Sequence, residues 1–222
     1  MKAIQYFNPK TILSCLLIST LVMTTSCSKD ETEVPVDNQL KAAGSVYLAF
    51  DDGPINWSTP TLVNNLKNAG AKATFFCWGS KISSNMTAFN AIKNAGFSIQ
   101  NHSFSHQHML SWSYQQVYDD LKKCQQAIQN AGGGTPRYFR PPYLEVNATI
   151  RSACSALGLT IVTCTVDSKD WSGASSSQII SNCSKLQSGG VSLMHDGYST
   201  TNAAVASIVQ SLKNRGLATV QY

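Results

Sequence analysis

Charge is scarce in this sequence. Asp, Glu, Lys and Arg supply 13% of its 222 residues, about half the share in an average soluble protein. Hydrophobic residues supply 43%, so a disordered or coiled-coil chain is excluded. With 14 Gly and 7 Pro, the collagen-like and Pro/Gly-rich classes are excluded too. No block of like charge accompanies the net charge of +5, so nucleic acid is not an expected partner. None of the seven cysteines forms a CxxC pair, which argues against a zinc knuckle or a thioredoxin-like site. The apolar run from Ile12 to Met23 is about a dozen residues long, short of the roughly 20 that cross a bilayer.

That run follows Lys2 and Lys10 and precedes Thr24-Thr25-Ser26-Cys27. Basic residues, a short apolar stretch and small residues read as a signal peptide over residues 1–27. Small residues before a cysteine suggest a bacterial lipoprotein cleavage site with Cys27 lipidated, although Thr24 stands where an aliphatic residue is usual. Ordinary cleavage near Cys27 is the rival reading, and a buried helix the bland one. Residues 28–43 are polar, carry Pro35 and read as a linker. The acids just after Cys27 resemble surface-export signals of some lipoproteins. The expectation is an exported cell-envelope lipoprotein held to the membrane through Cys27, surface-exposed, with secretion as the alternative. A single folded domain over residues 44–222, a monomer, follows. Five cysteines fall in it: Cys77, Cys124, Cys154, Cys164 and Cys183. Bridges and buried thiols both stay open, with at least one thiol free in a monomer.

Within the domain, short apolar runs alternate with helical patterns. Strands are expected at 46–50, 74–78, 97–99, 138–139, 160–164, 191–194 and 218–220. Helices are expected at 58–69, 86–95, 114–130, 148–157, 176–186 and 203–214. Three helix-to-strand joints share one chemistry: Lys67-Asn68-Ala69-Gly70, Lys93-Asn94-Ala95-Gly96 and Lys213-Asn214-Arg215-Gly216. Glycine suits the left-handed residue that ends a helix, and a cation suits the negative end of its dipole. About seven β/α units predict an α/β fold with a parallel sheet. In so short a chain the reading is a distorted, small or incomplete TIM-like barrel, with a doubly wound open sheet as runner-up.

Only eight acids remain in residues 44–222. Five of them, Asp51, Asp52, Asp167, Asp170 and Asp196, fall just past expected strand ends, as do all four histidines. In a β/α barrel those ends form the rim where active sites lie. Asp51 and Asp52 leave a strand before Gly53-Pro54; adjacent side chains diverge, so one carboxylate can bind a metal while the other acts as a base. An ordinary turn is the bland reading. His102 and His106, four apart, would share one face of a helical turn and reach one cation. Two histidines and a carboxylate suit one divalent ion, zinc first, with cobalt, nickel or iron also matching. His108 lies off that face, behind the ligands or on the surface. Pro141 and Pro142 stiffen the backbone ahead of Tyr143, whose N–H suits an oxyanion donor, while Arg140 could simply sit in a salt bridge. Asp167-Ser168-Lys169-Asp170-Trp171 and Leu193-Met194-His195-Asp196 each add a candidate acid, and a histidine beside a buried acid is oriented and kept protonated.

Together these five segments, in this order, resemble the polysaccharide deacetylases, carbohydrate esterase family 4, over about residues 45–220. The resemblance implies a distorted (β/α) barrel and metal-dependent removal of acetyl groups from a polysaccharide. It implies Asp51 as general base, with Asp52, His102 and His106 on the metal. Arg140 would pair with Asp51, and the Tyr143 N–H would hold the oxyanion. His195, oriented by Asp170, would protonate the leaving group, and Trp171 and Leu193 would line the acetyl pocket. Gly132–Pro136, Asn147–Thr149 and Gly173–Ser175 make the chain most similar to the acetylxylan esterase branch. Leu144 and Gly197 depart from that branch beside the cleft, where Gly and an aromatic residue respectively are found. O-acetylated xylan is thus the first expected substrate. The N-acetyl groups of chitin oligomers or peptidoglycan are the alternative. A non-catalytic carbohydrate-binding lipoprotein would be expected to have lost at least one of these residues.

Overall fold

The computed structural model describes residues 44–222; the signal segment, Cys27 and the linker lie outside the described residues. In chain order the strands and helices are β1 (Ser45–Tyr47), β2 (Ala49–Asp51), α1 (Thr59–Asn68), β3 (Thr74–Cys77), α2 (Met86–Asn94), β4 (Ser98–Asn101), α3 (Tyr114–Asn130), β5 (Tyr138–Phe139), α4 (Ala148–Ala156), β6 (Thr160–Ile161), β7 (Val166–Asp167), α5 (Ser176–Cys183), β8 (Ser192–His195), α6 (Ser199–Asn214) and β9 (Ala218–Val220). Seven strands form one parallel sheet in the order β6-β5-β4-β3-β2-β8-β7, and β1 pairs with β9 in parallel.

The sheet curls, and a short link shows why it must. Val162 still donates to Phe139 on one edge, and Thr165 already donates to Val191 on the other. Three residue steps span at most about 11 Å, whereas the edges of a flat seven-stranded sheet lie about 29 Å apart. The result is a half-barrel with helices between its strands, which sets the open doubly wound alternative aside. The link also corrects the reading of one strand over residues 160–164. That apolar run ends its strand at Ile161, and the chain crosses the opening to start β7 at Val166. The first expected strand divides likewise, at Leu48.

The three Gly joints end their helices as expected. Gly70, Gly96 and Gly216 have φ of 64°, 70° and 71°. In each, the Gly N–H bonds three residues back and the next residue's N–H bonds five back, as Ala71 does to Leu66 at 2.9 Å. Strand alternation then sorts the apolar residues. Phe50, Phe75, Ile99 and Met194 belong to the main core with the buried stripes of α1, α2 and α6. Ala49, Phe76 and Val162 form a separate inner cluster. Tyr222 joins that cluster and stacks on Tyr47 at 4.5 Å. All five cysteines of the domain are free thiols, and all but Cys164 are buried. Burial pushes the Cys154 and Cys183 thiols up to about 12, so they behave as small hydrophobes.

Candidate active site

Strand register brings the chemistry-bearing residues together. Asp51 at the end of β2 pairs with His195 at the end of β8. On the other side of β3, Asn101 of β4 pairs with Phe139 of β5, so the next residues, His102 and Arg140, emerge side by side. A cleft of about 360 Å³ opens there, lined by Asp51, Asp52, His102, His106, Tyr143, Trp171, Leu193 and His195 among others. Arg140 and Asp170 stand behind this surface, fully buried.

Two buried charges behind the cleft, Arg140 and Asp170, are each paired with a group that lines it. Arg140 Nη1 donates to Asp51 Oδ1 at 2.9 Å, and Nη2 donates to the carbonyls of Thr163 and Ser192 at 3.4 and 3.3 Å. The guanidinium therefore spans the half-barrel, with its central carbon 4.5 Å from the centre of the Phe76 ring. His195 Nδ1 lies 2.8 Å from Asp170 Oδ1. The other Asp170 oxygen accepts from the His195 N–H and from Thr201 Oγ1, each at 2.7 Å. Burial works against both charged forms. The mutual hydrogen bond and charge outweigh it, so the Asp170 carboxyl is held below its usual range and the His195 imidazole above its own.

Asp52, with φ of 70°, turns its carboxylate toward two imidazoles. Its Oδ1 lies 3.4 Å from His102 Nε2 and 3.0 Å from His106 Nε2. The three ligand atoms lie within 4.8 Å of one another. His102 Nδ1 sits 2.6 Å from the Arg140 carbonyl oxygen, so Nδ1 carries the hydrogen and the Nε2 lone pair is left for a cation that Asp52 would share. Asp52 Oδ1 is buried without a hydrogen-bond partner, an arrangement that a cation satisfies. Burial raises the Asp52 carboxyl, but the adjoining His102 and His106 imidazoles outweigh it and hold the group well below the usual carboxylate range. The donor set therefore fits a divalent ion.

The histidine turn corrects a detail of the sequence reading. Residues 102–106 are not helical; Ser103 and His106 have φ of 68° and 54°. The rings converge because Asp120, on α3, gathers the turn: it accepts from Ser103 Oγ at 2.6 Å and from the N–H groups of Phe104 and Ser105 at 2.8 and 3.0 Å. Trp78 stacks on His106 at 4.5 Å, and Lys81 Nζ donates to the Asp52 carbonyl at 3.1 Å.

Residues 39–162 match the polysaccharide deacetylase family. The chain belongs to this family, carbohydrate esterase family 4. It is 49% identical to a bifunctional xylanase/xylan deacetylase of Cellvibrio japonicus, over 79% of this chain and 26% of that protein. It is 31% identical to the peptidoglycan-N-acetylglucosamine deacetylase PgdA of Listeria monocytogenes, over 83% of this chain and 39% of that protein. The chain thus spans well under half of either relative. Among solved structures, a family 4 carbohydrate esterase from Streptomyces lividans in complex with acetate is similar, with a TM-score of 0.77 and 44% identity over 79% of this chain and 91% of that one.

In this deacetylase fold, residues inside the motifs (Pro141, Asp167), beside them (Leu144) and outside them (Tyr198, Thr201) also shape the cleft. Pro141, Leu144, Asp167 and Tyr198 line it, and Thr201 supports Asp170. Asp120 had a legible signal: it shares a helix face with Val117 and Cys124, both buried, where a carboxylate needs partners. Thr201 had none, because a threonine near a helix start is commonplace. Asp196, beside His195, faces away from the chemistry; its Oδ2 accepts from Thr59 Oγ1, and its N–H donates to the Asp51 carbonyl.

Proposed function

We propose that this chain hydrolyses acetyl esters on a polysaccharide, with O-acetylated xylan as the substrate. One observation carries the reading. A paired carboxylate, Asp51 with Arg140, and a paired imidazole, His195 with Asp170, meet in register beside the Asp52, His102 and His106 donor set. Asp52, His102 and His106 would hold a divalent ion, zinc first among zinc, cobalt, nickel and iron, whose Lewis acidity polarises the acetyl carbonyl and acidifies water. Asp51 takes a proton as water oxygen bonds to the acetyl carbon. The Tyr143 N–H stabilises the oxyanion that develops there. His195 gives its proton to the sugar oxygen as the C–O bond breaks, leaving acetate and a free hydroxyl. Leu193 and Trp171 wall the space for the acetyl methyl.

The Cellvibrio relative supports xylan. The Listeria relative supports a second reading, N-acetyl removal from peptidoglycan, since the same groups can protonate a departing amine. Chitin oligomers present that same N-acetyl chemistry. Acetate release from acetylated xylan, peptidoglycan and chitin oligomers, with metal-reconstituted protein, decides between them. Faster release from xylan is expected; faster release from either N-acetyl substrate overturns the choice. The segment 12–23 and Cys27 support export and a lipid anchor at the cell envelope. Cys27→Ser should move the protein out of the membrane fraction or block its maturation, as cell fractionation will show. An unlipidated, soluble wild type would contradict the anchor.

A further inference from the structure

Tyr143 and Leu144 are consecutive non-glycine residues in the left-handed region, with φ of 58° and 57°. L side chains rarely adopt this conformation, and surrounding structure must hold it. Burial does not hold Tyr143, which is 55% exposed. Two backbone bonds close the turn, from Leu144 to the Pro141 carbonyl at 3.0 Å and from Glu145 to the Pro142 carbonyl at 3.2 Å. The Tyr143 ring then lies between two histidines. His106 meets it edge-on, with centroids 5.2 Å apart, and His108 stacks flat against it at 3.7 Å and 13°. The His108 side chain is 66% exposed, so burial does not place it either. Its Nδ1 is instead 3.0 Å from Glu145 Oε1, two residues beyond the tyrosine. The contacts form a closed circuit from the Tyr143 ring to His108, to Glu145 and back along the chain. It ties the loop after β4 to the loop after β5 at the mouth of the cleft.

We infer that His108 and Glu145 are positioning residues that clamp the Tyr143 ring and so hold the left-handed turn that presents the cleft wall and the Tyr143 N–H. The inference rests on the functional reading above for what the turn does, and on geometry alone for the clamp. A small displacement of a group that contacts the reacting atoms costs up to about a hundredfold in rate. His108→Ala should therefore lower kcat/KM on acetylated xylan roughly ten- to a hundredfold, with bound metal and Tm unchanged. His108→Phe keeps a flat ring and should recover most of that loss. Leu144→Gly placed in the His108→Ala background should also recover activity, because glycine takes the left-handed conformation without strain. Unchanged kinetics in His108→Ala overturn the clamp. So does a loss that tracks metal loss, since the effect would then run through His106, and so does failure of both rescues. A readout independent of catalysis is the NMR shift of the His108 Cε1 proton. The Tyr143 ring should displace it upfield, and Tyr143→Ala should abolish the displacement. A wild type that releases no acetate from any glycan defeats the functional reading, while the absence of the ring shift defeats the clamp.

Discussion

Asp51 and Asp52 are adjacent and chemically alike, yet their surroundings separate them. Asp51 is buried, bonded to Arg140 at 2.9 Å and in register with His195. Asp52 turns through a positive φ to face His102 and His106. A purely structural turn would make their substitutions alike. The proposed roles make them differ: Asp51→Asn should keep its metal and lose roughly 10²–10⁴-fold in kcat, whereas Asp52→Asn should lose metal itself. Elemental analysis and kcat on both variants test this, and an active Asp51→Asn would refute the assignment. Asp170 allows a second test at this scale. Burial depresses the His195 imidazole, and its bond to Asp170 is the first of the opposing effects that raise it. Asp170→Asn removes that opposition, so the pKa of His195 should fall. A general acid must be protonated to act, so the basic limb of the kcat/KM profile should move to lower pH. A basic limb that stays in place would mean that His195 is not the acid.

Among the elements, α3 does more than cover the sheet. Its buried stripe of Val117, Leu121, Cys124 and Ile128 anchors it, and Asp120 on the same side gathers three donors of the histidine turn. The turn has two left-handed non-glycine residues, Ser103 and His106. Without its carboxylate anchor, the imidazoles should lose their convergence. Asp120→Asn should thus weaken metal binding by about 10- to 100-fold, the usual effect of losing a partner behind a ligand, while helical content by circular dichroism stays the same. Metal titration reads the first quantity; unaltered affinity would show that the turn holds itself.

For the whole molecule, Arg140 joins the parts of the half-barrel. From the end of β5 it reaches Asp51 of β2, Ser192 of β8 and Thr163 in the link that crosses the opening. Arg140→Met keeps much of the volume but strands a buried carboxylate. Breaking such a pair typically costs roughly 3–5 kcal/mol, so Tm should fall by on the order of 10 °C for a domain of this size. Calorimetry on the folded variant measures it, and a Tm within a degree or two of wild type would show that water replaces the guanidinium.

Much of this was legible in the linear order of residues. Helix periodicity, the Gly joints and scarce acids at strand ends set the alternation and marked the rim, because these are local signals carried by neighbouring residues. The helix Tyr114–Asn130 and the strand Tyr138–Phe139 match their expected limits. The split at Leu48 and the early end of β6 were not legible, because a run of apolar residues looks alike whether it stays in one strand or crosses between two edges. The same holds for the site. The motifs named Asp52, His102 and His106, but a helical spacing for the histidines was the wrong local geometry. Asp120, Thr201 and the His108–Glu145 contact depend on partners 15 to 37 residues away in sequence. Local sequence therefore determined the elements and the identity of the reactive groups. Only the curl of the sheet decided their convergence, since register and long-range hydrogen bonds exist only once distant strands have paired.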